Sequence, residues 1–126
     1  MKKLLAMITL ALLSNPVMSA DIKIGDILYC TSDFFYGTNV NNTNEVKRYG
    51  VQNFKLSISN NSVDFGSSGY FSNTSMPTRE IKIWSVIAQD EHSTFGIDAH
   101  SNNILFSYAS ANPFGMAMMK GSCDKF

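Results

Sequence analysis

Two cysteines, Cys30 and Cys123, lie near opposite ends of the chain, and no others occur. Joined, they would bolt the first strand of a small β-domain to its last. Leu28 and Cys30 share one face of an alternating stretch, and Ala117, Met119, Gly121 and Cys123 share one face of another, so both sulfurs can point inward. Closing a loop of roughly ninety residues gives about 4–5 kcal/mol in the chain-entropy model, an upper figure because native strain subtracts from it. The alternative is a pair of unbonded core thiols.

The N-terminus decides between them. Lys2 and Lys3 precede an apolar run over 4–13 that is too short to span a bilayer, and Pro16 to Ala20 offers small residues for cleavage. Residues 1–20 therefore read as a cleaved signal peptide of bacterial style, and residues 21–126 as one domain delivered to the periplasm or beyond. An oxidising compartment favours the disulfide. No cysteine stands near the cleavage site to carry a lipid, and no later apolar run reaches membrane length, so no membrane anchor is expected. Removing Lys2 and Lys3 leaves eight basic against ten acidic residues, a net charge of −2. With no basic stripe carrying interleaved aromatics, that balance argues against nucleic-acid binding.

The rest of the chain alternates with a period of two between Gly, Asn, Ser and Pro punctuation, and no convincing amphipathic helix interrupts it. Ile22 and Ile24 alternate, then Leu28 and Cys30. Phe54, Leu56 and Ile58 face one way, with Lys55, Ser57 and Ser59 opposite, and Asn60-Asn61 predicts a tight hairpin into Val63 and Phe65. The stretch 80–88 reads as one strand, the most buried, with Ile81, Ile83 and Ile87 on one face and Trp84 and Val86 on the other. Phe95, Ile97 and Ala99 follow, then Ile104, Phe106 and Tyr108 beyond Asn102-Asn103, and a last turn at Asn112-Pro113. The fold class is all-β: a single small antiparallel barrel, or a sandwich, of seven to eight strands closed by one disulfide. A barrel is preferred because joining first and last strands removes two edges. Stretches 33–50 and 66–78 read as long loops, of the kind that are mobile or functional.

Few residues suggest chemistry. Asp98 and His100 share a strand face, and His92 stands beside Asp90 and Glu91, but no HExxH or GxSxG accompanies them. They read as a solvent face and a polar turn, so neither an enzyme, a metal nor a cofactor is expected. Met116, Met118 and Met119 occupy both faces of the last strand, and at least Met119 reads as core. Of Phe34, Phe35 and Tyr36, at least one ring must face outward. The stretch 64–75 is the most suggestive: Gly66 and Gly69 permit unusual backbone, small hydroxyls surround Tyr70 and Phe71, and those two rings offer contact area at low entropic cost, a composition that suits a protein-binding loop and equally an ordinary hairpin with one aromatic tucked in.

With Leu28-Tyr29-Cys30, Ser68-Gly69-Tyr70-Phe71-Ser72 and a terminal cysteine, the chain resembles the periplasmic inhibitors of C-type lysozyme. The resemblance implies a small β-barrel that inserts a loop into the lysozyme cleft and meets its catalytic carboxylates with a serine and a basic side chain. The family usually has one residue between the tyrosine and the cysteine, whereas Tyr29 and Cys30 are adjacent. No Lys or Arg lies within 66–78, so Arg79 is the nearest cation. The ending, Gly121 to Phe126, is also similar to that of uncharacterised exported proteobacterial proteins. The expected function is a non-catalytic binding module, an inhibitor of a cell-wall hydrolase such as lysozyme, with Ser68, Tyr70, Phe71 and Arg79 making the contact. The rivals are a carrier of a small apolar ligand inside the barrel and a small hydrolase using Asp98 and His100. Nothing in the sequence sets the oligomeric state.

Overall fold

Period-two patterning buries one face of most of the strands, and a sheet with one apolar face must curl or stack to hide it. Here it curls. The computed structural model describes residues 21–39 and 42–126, so the expected signal peptide, 1–20, lies outside the described residues. Nine antiparallel strands follow in order: β1 (Ile27–Asn39), β2 (Asn42–Arg48), β3 (Asn53–Ile58), β4 (Ser62–Phe65), β5 (Ser75–Lys82), β6 (Ser85–Gln89), β7 (Ser93–His100), β8 (Asn103–Asn112) and β9 (Gly115–Lys125). Each of β3 to β8 pairs with the next, and β9 returns to β1, which also pairs with β3. Eight strands thus close a barrel, and β2 is an extra strand on the far half of β1. The sandwich alternative falls away.

β1 carries this topology because one edge is shared. Its first half, Ile27 to Thr31, pairs with β3, and its last residues, Tyr36 to Asn39, pair with β2. The register with β9 shifts between Ser32 and Phe34, a bulge that leaves Asp33 unpaired. Leu28, Cys30 and Ser32 are buried before the bulge, and Phe35 and Gly37 after it. That change of parity hides the strand from a period-two reading. The stretch 33–50 is therefore mostly a hairpin and not a long loop. Gly121 sits against the bulge, where a Cβ would run into Thr31 O and come within 2.8 Å of both Ser32 Cα and a Phe106 ring carbon.

The stretch 80–88 is likewise not one strand. Lys82 pairs with Ser85 across a turn at Ile83-Trp84, leaving those two side chains 63% and 55% exposed. A run without Gly, Pro or Asn carries no sequence cue for a turn, which is why the pattern there reads as one continuous strand. Val86 and Ala88 face the core instead, and β5 begins earlier than expected, at Ser75. Ile22 and Ile24 form no strand either. Ile22 is buried as part of a plug beneath the barrel, its N–H donating to Ile83 O at 2.8 Å.

Cys30 and Cys123 are directly paired residues of β1 and β9, bonded to each other with Cα atoms 4.0 Å apart. Between the walls lie Phe54, Phe65, Phe71, Phe95 and Phe106, each no more than 6% exposed. Phe95 and Phe106 stack at 5.6 Å, and Phe54 meets Phe106 edge-on at 5.1 Å. At about 1.5–3 kcal/mol for each fully buried large side chain, this cluster is a large part of the apolar contribution to the fold.

Candidate functional site

At the end of the barrel away from Ile22, the chain between β4 and β5 folds inward. Gly66 N–H donates to Lys55 O, Asn73 N–H to Gly66 O and Phe65 N–H to Thr74 O, each at 2.8 Å. Gly69 adopts a left-handed φ of +84° and presses on β3, where a Cβ would lie 2.8 Å from Asn53 O. No other residue fits both conditions. Pinned this way, loop 66–74 drives Phe71 into the core and leaves Tyr70 at the rim.

The four residues expected to make a contact surface are thereby separated. Phe71 is 3% exposed, with ring centroids 4.6 Å from Phe65, 4.7 Å from Tyr108 and 5.0 Å from Phe54. It closes the barrel and has no surface to offer. Tyr70 is half-exposed and packs edge-on against Phe35 at 5.1 Å. Partial burial, with Tyr108 and then Tyr49 nearby, pushes its phenol up to about 12. Tyr70 therefore stays a neutral donor at any physiological pH. Ser68 is exposed on the outer wall. Arg79 donates to Gln89 Oε1 at 2.7 Å across β5 and β6 and borders neither hollow that holds Ser68 or Tyr70.

Two hollows flank the loop. At the mouth, a cleft of about 400 Å³ is bordered by Phe35, Tyr49, Gln52, Tyr70, Asn112 and Phe114, among others, and by no charged residue. Asn112 Oδ1 accepts the N–H groups of Phe114 and Gly115 at 2.8 and 3.1 Å, which holds Phe114 out at 78% exposure. On the wall, a shallower hollow of about 360 Å³ joins Ser68 to Tyr29, Thr31, Asn53 and Lys55. Lys55 was missed from the sequence, where it lies thirteen residues before Ser68. The backbone bond from Gly66 to Lys55 O brings the loop that carries Ser68 onto the strand that carries Lys55, whose Nζ lies 6.0 Å from the centre of the Tyr29 ring.

The remaining polar residues sit in structural settings. Asp90 Oδ1 accepts the N–H groups of His92 and Ser93 at 3.0 and 2.8 Å, tying the turn between β6 and β7. His92 Nε2 lies 3.9 Å from Glu91 Oε1, with both side chains exposed. Asp98 and His100 are exposed, and no hydrogen bond joins them among the described residues. The described residues contain no group of three or more His, Cys, Asp or Glu placed to share a metal ion.

Outside the barrel, Tyr36, Val46, Met116 and Met118 border a wholly apolar hollow on β1, β2 and β9. Met116 and Met118 are 59% and 57% exposed, while Met119 between β1 and β8 is buried, as its spacing predicts. Phe34 and Tyr36 also face outward and tilt together at 4.5 Å, with Phe35 inward.

These features define the class of molecule: a small, disulfide-closed antiparallel β-barrel with a filled interior and its unusual side chains on the outside. Compared with known proteins, the chain matches no family model, no curated sequence and no solved structure.

Proposed function

We propose that this is an exported, non-catalytic binding protein that recognises another protein through the outward side of loop 66–74, with a cell-wall hydrolase such as lysozyme as the partner class. The observation that carries the reading is the filled interior. Phe71 and four further phenylalanines occupy the space an apolar carrier would keep open, so a partner must meet the outer surface. Loop 66–74 presents Tyr70 to the uncharged mouth and Ser68 to the wall hollow that Lys55 also borders. A hydroxyl and an ammonium group bordering one hollow can both donate to a pair of carboxylates, and this is the pairing that the resemblance to lysozyme inhibitors implies. Lys55 takes the place foreseen for Arg79.

Export rests on the character of residues 1–20 and on a disulfide compatible with an oxidising compartment. The test is capture by the immobilised oxidised barrel, together with a lysozyme inhibition assay. Binding that drops at least tenfold in Tyr70→Ala and in Lys55→Ala is expected. If nothing is captured and lysozyme activity is unchanged at micromolar excess, the proposal fails.

A further inference from the structure

Strand β2 is the one strand that ends the hydrogen-bonded order: one edge pairs with β1 and the other pairs with no described strand. Such an edge is a template for another chain, and proteins usually blunt it with charge. Here Glu45 and Lys47, of opposite sign, flank an apolar centre, with Arg48 next along the strand. Glu45, Val46, Lys47 and Arg48 are all exposed, with Val46 at 69%.

We propose that β2 pairs antiparallel with β2 of a second copy of this chain, on a twofold axis at Val46, to give a symmetric dimer with one sheet continuous across both barrels. This proposal does not rest on the partner named above. Symmetry restricts the choices. A twofold axis between antiparallel edge strands runs perpendicular to the sheet, so opposed residues share a face and one residue must meet its own copy. Centring on Glu45 sets two carboxylates opposite each other, and centring on Lys47 sets two ammonium groups opposite each other. Centring on Val46 sets Val46 against Val46 and Glu45 against Lys47 twice. Only that register avoids like charges and forms two cross-strand ion pairs.

The same arrangement explains an odd feature of the surface. Val46 is the outermost member of the apolar patch formed with Tyr36, Met116 and Met118. A dimer at Val46 brings the patches of two copies together and covers the most exposed of these side chains on the strand edge. A strand of an unrelated protein would have no reason to match the alternating signs of Glu45 and Lys47. A second copy matches them by construction.

Charge reversal tests the register. Sedimentation equilibrium on the oxidised barrel at low ionic strength, up to millimolar concentration, is expected to show a monomer–dimer equilibrium weakened by added salt. Glu45→Lys and Lys47→Glu should each weaken it about tenfold or more, because each replaces two attractions with two repulsions. The double variant, Glu45→Lys with Lys47→Glu, should return to the wild-type dissociation constant within about threefold. Circular dichroism and intact disulfide mass check that each variant is folded. A monomer at all concentrations, a dimer indifferent to both single reversals, or a double variant that stays monomeric would each overturn the proposal.

Discussion

Truncating Phe71 separates a plug from a contact residue. Its ring is 3% exposed and meets Phe54, Phe65, Phe95 and Tyr108 with centroids between 4.6 and 5.5 Å. Transfer of a fully buried phenylalanine contributes about 1.5–3 kcal/mol. A cavity adds to this when the walls cannot collapse, and here the loop is fixed at both ends by its bonds to Lys55 O and Gly66 O and by Gly69 against Asn53. Phe71→Ala should therefore cost about 3–5 kcal/mol. For a domain of this size that is a fall of roughly 15–30 °C in Tm. Tyr70→Ala, half-exposed next door, should cost only about 1 kcal/mol. Urea unfolding followed by near-ultraviolet circular dichroism measures both. A loss below about 1 kcal/mol for Phe71→Ala would show that loop 66–74 does not close the barrel from within.

Three further outcomes follow from the same geometry. Replacing Cys30 and Cys123 by alanine frees a loop with a sequence separation of 93, which should lower stability by about 3–5 kcal/mol and raise the urea m-value as the unfolded chain expands. Gly121→Ala should destabilise by about 1–3 kcal/mol or prevent folding, because its Cβ meets Thr31 and the Phe106 ring, whereas Gly50→Ala, with nothing within 4 Å, should be close to neutral in the same assay. The hydroxyls of Ser75 and Ser62, bonded to Asp64 at 2.6 and 2.8 Å, hold that carboxyl below its usual value of 3.8. A depressed folded-state pKa stabilises above the unfolded value and is lost as pH falls through the folded one, so Asp64→Asn should flatten the loss of stability below about pH 4, read from urea midpoints across that range.

How far the sequence carried the fold depended on where the period of two held. Phe54, Leu56 and Ile58, then Phe95 and Ile97, then Ile104, Phe106 and Tyr108 all point inward as their spacing requires; Asn60-Asn61 turns the chain where expected, while the turn expected at Asn102-Asn103 falls one residue earlier, at Ser101-Asn102, with Asn103 already paired to His100. The pairing of Cys30 with Cys123 was legible from matching parity. The reading failed where the period broke without a cue: at the bulge after Ser32, which inverts the faces of the rest of β1, and at Ile83-Trp84, where two large apolar residues make an exposed turn. The site was harder. Tyr70 and Phe71 are neighbours of similar size, and only the closure of Gly69 onto Asn53, a contact between distant residues, decides which ring enters the core. The same non-local packing sets Lys55 and Ser68 on one hollow and leaves Arg79 with Gln89.

The most direct test of a filled barrel that binds from outside is a methyl nuclear magnetic resonance titration of the oxidised protein with a long-chain fatty acid. Leu56, Val86 and Ile97 are fully buried. Their resonances should stay in place through millimolar excess of the lipid. Saturable shifts at all three would place a ligand in the interior and contradict the account.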